Sequence, residues 1–250
     1  MLIPLYDDNP VRRISYAYVN WALIAANVLI YAIVQSGFVM SVQTAENASV
    51  SYGMIPVILF ETMRLPDEFI AIPSWATPVT SSFLHGSWMH LAGNMLFLWV
   101  FGDNVEDDLG HVRYLLFYAA CAALAALAHA WAMPESTSPL IGASGAVSGM
   151  MAAAARFVFS PAPGRLGPDP WPGQPLAQPR LSLLGVVKNS RAALFLGIWF
   201  ATNLLFGAIA APLGMTAGSI AWEAHIGGFL VGLLVFPLVD RVETVRSRAT

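Results

Sequence analysis

The chain reads as an all-α, polytopic membrane protein, a bundle of six transmembrane helices, and three observations carry that reading. Hydrophobic residues make up 57% of its 250 residues and charged residues only 11%, whereas a soluble domain carries about a quarter charged residues. Six apolar stretches approach the ~20 residues that cross a hydrocarbon core. Threaded in order, they leave eleven of the twelve basic residues on one side of the membrane and only Arg64 on the other. Cytoplasmic segments carry such an excess of Lys and Arg, which places both termini in the cytoplasm and requires an even number of spans.

Residues 1–17 form a cytoplasmic N-terminal segment, polar through Arg13 and without a cleavable signal pattern. The membrane domain occupies 18–239. Its first span, 18–35, is long enough to cross. An outer loop, 37–80, follows. Pro56, Pro66, Pro73 and Pro78 break it up, while Phe60, Phe69 and Trp75 make it a segment that lies in the membrane interface. The second span, 88–101, is short and is extended upstream by the half-polar 81–87. The third covers 112–131. The fourth, 143–159, is again short, which a bundle tolerates when other helices flank the span or when it ends in a water-filled cavity. Residues 160–190 read as a Pro-rich cytoplasmic linker, extended or disordered over 160–179 and without a role in chemistry. The fifth and sixth spans, 192–211 and 221–239, complete the domain, and 240–250 form a cytoplasmic tail.

Composition also narrows the function. A net charge of −3, small and scattered, does not suit a nucleic-acid partner. Cys121 is the single cysteine and sits in an alanine-rich run, so an intramolecular disulfide or a cysteine metal cluster is excluded. No His or carboxylate pair recurs with ligand spacing on a second element, so neither metal nor cofactor is expected.

The chemistry lies on the short spans and the sixth. Ser144 stands in Gly142-Ala143-Ser144-Gly145, and His225 in Ala224-His225-Ile226-Gly227-Gly228. A polar side chain at membrane depth is costly to keep and points to function with a partner. Imidazole can take a hydroxyl proton and so activate a serine, which makes Ser144 the expected nucleophile and His225 its general base. Pro139 and Gly142 precede the fourth span and leave Ser144 near a helix N-terminus, where free N–H groups suit a negative oxygen. Gly145 and Gly149, with Gly228 and Gly232, form two small-xxx-small pairs that would bring the fourth and sixth spans close. His90 and Asn94 are four residues apart, on one face of the second span. They could be interhelical glue, or with Ser144 they could form the donors of an oxyanion hole. His85 is a supporting polar contact near the outer surface. Glu223, two residues before His225, faces another side of its helix, and Asp103, Glu106, Asp107 and Asp108 lie far in depth from the serine. A Ser–His dyad oriented by packing is therefore expected. His111 and His129 read as an interfacial and a helix-end residue.

His85-xxxx-His90-xxx-Asn94, Gly142-Ala143-Ser144-Gly145 and Ala224-His225-xx-Gly228-xxx-Gly232, in this order on the second, fourth and sixth spans, resemble the signatures of rhomboid intramembrane serine proteases. The run Gly102–Asp107 with Arg113 also looks like the short loop that bacterial members carry after the second span. The resemblance implies a six-span rhomboid bundle in a bacterial inner membrane. It also implies cleavage of single-span membrane-protein substrates near the outer face, at a small residue preceding helix-destabilising sequence. Ser144 and His225 would be catalytic, and His90, Asn94 and the Ser144 N–H would form the oxyanion hole. This chain departs from the pattern in two places. It has Ser148 where members often carry a tyrosine stacked on the base, and Trp75-Ala76 where a tryptophan-arginine pair is common. An inactive rhomboid-like scaffold is the alternative, but it usually lacks the serine or the histidine. A small transporter would need a polar file through the whole membrane depth, whereas the polar side chains here cluster toward one face. Hydrolysis needs a cavity open to the outer face, with His85, His90 and Asn94 in its walls. The fifth span with the uncharged loop 211–220 is the element expected to move for substrate entry.

Overall fold

The computed structural model describes residues 14–159, 180–205, 207 and 221–240; the expected tail and most of the Pro-rich linker lie outside them, as does loop 211–220. The described residues are helical, without a strand: α1 (Tyr18–Ile30), α2 (Val42–Tyr52), α3 (Pro56–Leu59), α4 (Thr77–Thr80), α5 (Trp88–Leu109), α6 (His111–Ala132), α7 (Ser144–Ala154), α8 (Leu183–Lys188), α9 (Ser190–Asn203) and α10 (Trp222–Val239). α1 runs on into a π-helical turn, Tyr31–Gln35, so the first span keeps its expected length. The outer loop contains α2, α3 and α4, and an isolated bridge between Met54 and Leu140 ties it to the segment before α7.

The burial pattern is that of a bundle in lipid. On α1 the buried positions include Asn20 and Asn27, while Trp21, Val28 and Leu29 face outward. Apolar side chains gain nothing from leaving lipid, whereas polar ones must find partners inside. Asn20 does so: its Nδ2 donates to the Leu98 carbonyl at 3.2 Å, and Tyr114 donates its hydroxyl to Asn20 Oδ1 at 2.7 Å. One amide thereby clamps α1, α5 and α6. α7 is buried on almost every side, as its Ala- and Gly-rich sequence allows, and packs most closely on α10, α5 and α6.

Among the described residues three helices are long and apolar enough to cross a membrane: Tyr18–Gln35, His111–Ala132 and Trp222–Val239. α5, α7 and α9 take the places of the second, fourth and fifth expected spans and do not meet that standard. α5 has 22 residues but carries Asp103, Glu106, Asp107 and Asp108 in its last turns. α7 has 11 residues, about 16 Å of rise.

Two boundaries differ from the sequence reading. Gly102–Asp107, expected as a short loop, is helical, and α5 ends only at Gly110, whose φ of 75° suits glycine. The acidic residues explain the extension. Glu106 is fully buried and accepts the backbone N–H groups of Val19 and Asn20 at 3.0 and 2.7 Å, capping the first turn of α1. His111 Nδ1 also meets Glu106. The end of the expected linker, 180–190, forms α8 and the start of α9, each capped by a side chain, Ser182 and Asn189. Arg180 anchors it, pairing with Asp108 at 2.7 Å and Asp240 at 2.8 Å with its guanidinium over the Phe157 ring. Burial opposes the guanidinium charge, and the two carboxylates outweigh it, holding Arg180 above its ordinary range.

Candidate active site

Ser144 is the first residue of α7, where the opening N–H groups have no partner within the helix. The turn before it depends on Gly142. Its φ of 125° is a conformation L side chains rarely adopt, and a Cβ there would lie 2.7 Å from His90 Nε2. The Gly142 N–H donates to the Ser81 carbonyl at 2.9 Å, which ties the turn to the segment leading into α5.

His225 sits one turn into α10. The close approach of α7 and α10 comes from the glycine pairs: a Cβ on Gly228 would meet the Gly145 carbonyl oxygen at 2.0 Å, and one on Gly232 the Gly149 oxygen at 2.1 Å. At that separation, His225 Nε2 lies 2.7 Å from Ser144 Oγ, a hydrogen bond between residues 81 apart in sequence.

His90 and Asn94 share the face of α5 that looks toward α7. Ser87 caps α5 by accepting the His90 N–H at 3.1 Å. His90 Nδ1 is the acceptor of a long contact from the Gly86 N–H, 3.5 Å, and the Nε2 edge of the ring lies beside Gly142. Asn94 is 6% exposed, and its Nδ2 has no hydrogen-bond partner among the described residues. A buried amide donor without a partner is costly in a folded protein.

These groups line one cavity of about 1350 Å³, with Ser144, His225, His90, Asn94, Trp199 and Asn203 among its walls. His85 does not line it. Its ring packs behind His90 with centroids 5.1 Å apart, is 1% exposed, and has neither nitrogen paired among the described residues. Its expected place in the wall is therefore corrected: it backs His90 and does not face the cavity. Glu223 lines the same cavity and meets His129 Nδ1 at 3.3 Å, not His225 or Ser144. Among the described residues no group of three His, Cys, Asp or Glu side chains is arranged to hold a metal ion.

One residue of the site escaped the sequence reading. Asn203, at the end of α9, presents Oδ1 to His225 Nδ1 at 2.5 Å. Its signal was present: an amide inside the apolar run Ile198-Trp199-Phe200-Ala201-Thr202-Asn203-Leu204, the same anomaly that singled out Ser144 and His225. Ser148 leaves the imidazole to this partner, since its own hydroxyl donates to the Ser144 carbonyl at 2.7 Å within α7.

Among known proteins, the chain is 38% identical over 80 residues to Rhomboid-like protein 11, chloroplastic, of Arabidopsis thaliana, covering 32% of this chain and 28% of that protein. It is 28% identical over 175 residues to Rhomboid protein 1, mitochondrial, of Saccharomyces cerevisiae, covering 68% of this chain and 44% of that protein. The chain thus spans less than half the length of either relative, and both names point to organelles, lending no support to a bacterial inner membrane. Residues 73–241, from the end of the outer loop through α10, match the Rhomboid domain family. A membrane-type helical bundle, three linked polar motifs and this match agree: the chain belongs to the Rhomboid family.

Proposed function

We propose that this protein is an intramembrane serine endopeptidase that cleaves single-span membrane-protein substrates near the outer face of the bilayer. The observation that carries the proposal is the 2.7 Å contact between Ser144 Oγ and His225 Nε2 in the wall of a largely apolar cavity. In the reaction, His225 Nε2 takes the Ser144 proton as Oγ attacks the scissile carbonyl. The negative oxygen that develops is met by the Asn94 Nδ2, the His90 Nε2–H and the Ser144 backbone N–H, donors already oriented before the reaction. His225 then returns the proton to the leaving amine, and water from the cavity hydrolyses the acyl-enzyme by the same route in reverse. Gly142, Gly145, Gly228 and His85 support this site without touching substrate.

In this reading α1, α5, α6, α7, α9 and α10 are six spans, with both termini on the side rich in Arg and Lys. The short α7 begins midway through the bilayer, because the cavity above Ser144 replaces hydrocarbon with water.

Purified full-length protein in detergent, incubated with tagged single-span proteins, should release two fragments, and Ser144→Ala should release none while unfolding at the wild-type temperature. Cleavage by folded Ser144→Ala at the wild-type rate would overturn the proposal.

A further inference from the structure

The imidazole of a serine hydrolase must carry its proton on the nitrogen that faces away from the serine, or it cannot act as a base. In this site that nitrogen is Nδ1, and its partner is Asn203 Oδ1. The amide cannot turn over freely, because Asn203 Nδ2 donates to the Trp199 carbonyl at 2.8 Å. That bond selects Oδ1 as the atom facing His225, an acceptor, so Nδ1 must donate and Nε2 is left free to accept from Ser144. The mount is rigid as well. Asn203 is 7% exposed. One turn along each helix, the Trp199 ring stacks on Phe229 with centroids 5.1 Å apart, so α9 and α10 are joined by two successive rungs, Asn203–His225 and Trp199–Phe229.

We infer that Asn203 is a positioning residue for the general base, fixing the tautomer and ring plane of His225 from the neighbouring helix α9, so that the working unit is Ser144–His225–Asn203. The inference rests on the proposed protease reading. Asn203 touches no reacting atom and acts only through the imidazole.

A fluorophosphonate probe tests this without a natural substrate. Ser144 Oγ bonds to phosphorus, fluoride leaves, and the hydroxyl proton passes to His225 Nε2, so the labelling rate reports base function. Full-length wild type, Asn203→Leu and Asn203→Asp are compared, with Ser144→Ala as the blank. Asn203→Leu should label about tenfold to a hundredfold more slowly, as misorientation of a catalytic group does. Asn203→Asp keeps an acceptor toward Nδ1 and should recover most of the rate. In ¹⁵N-histidine spectra, with the His225 signal identified by its loss in His225→Ala, wild type should carry the proton on Nδ1 and Asn203→Leu should lose that preference. Wild-type labelling by folded Asn203→Leu overturns the inference. So does a wild-type His225 protonated on Nε2, a result that needs no variant to fold. Labelling of Ser144→Ala equal to wild type would instead sink the protease reading, leaving the tautomer of His225 to be judged by the spectra alone.

Discussion

At the scale of single residues, the site is defined by which polar atoms have partners and which do not. Ser144, His225 and Asn203 form a closed chain of hydrogen bonds from Oγ to the Trp199 carbonyl. Asn94 breaks the pattern: it is buried, and its Nδ2 has no partner among the described residues. An interhelical glue residue would have used both ends of its amide. In the proposed mechanism Asn94 is a donor that waits for a charge present only during reaction. Asn94→Ala should therefore lower kcat on the order of 10²–10³-fold with little change in KM, since the interaction is made in the transition state only. Steady-state cleavage of a reporter substrate in micelles reads both constants, and a wild-type kcat would return Asn94 to helix packing.

At the scale of elements, the decisive contact is backbone against backbone. α7 and α10 approach until glycine is the only residue that fits at Gly228 and Gly232, where an added Cβ would stand 2.0 and 2.1 Å from carbonyl oxygens of α7. α9 is held differently, through side chains: Phe195 against Phe101 and Phe159, Trp199 and Phe200 against Phe229. In the proposed reading the closely packed pair carries nucleophile and base, while the aromatic-mounted helix borders the cavity and carries Asn203. Gly228→Ala must push α10 off α7. Overpacking of this kind costs typically ~1–3 kcal/mol, and a displacement near 1 Å at the reacting atoms costs about a hundredfold in rate. Gly228→Ala should therefore lose both thermal stability and cleavage, while Gly93→Ala, on α5 with nothing within 4 Å of the added Cβ, should keep both. Thermal unfolding in detergent and a cleavage assay on the two variants make the comparison.

For the whole molecule, the end of the bundle away from Ser144 is closed by buried charge. Arg180 draws together Asp108 at the end of α5 and Asp240 at the end of α10, and stacks over Phe157 just beyond α7. Removing one member of a buried ionic group typically costs ~3–5 kcal/mol, because the remaining charges keep their desolvation penalty. Arg180→Met should lower the unfolding free energy in micelles by about that amount, with little effect on the chemistry of what remains folded. An unchanged unfolding midpoint would show that the two aspartates are held by other contacts.

Much of this molecule is written locally in the chain. The helices of 18–35, 112–131 and 221–239 are legible because an apolar run of a given length has one economical conformation in lipid, where every backbone group must be bonded within its own segment. Ser144, His225, His90 and Asn94 stand out for the same reason, as polar groups where polarity is costly. Neither the continuation of α5 through its acidic turn nor the docking of 180–190 could be read this way. Each depends on a partner far along the chain: the N–H groups at the start of α1 for Glu106, and the Asp108 and Asp240 carboxylates for Arg180. Asn203 was visible as an anomaly, but its meaning was not. Sequence determined which residues were too polar for their surroundings. Only the packing of α9 and α7 on α10 decided which of them meet, because hydrogen bonds act over about 3 Å and the residues they join here lie 22 and 81 positions apart.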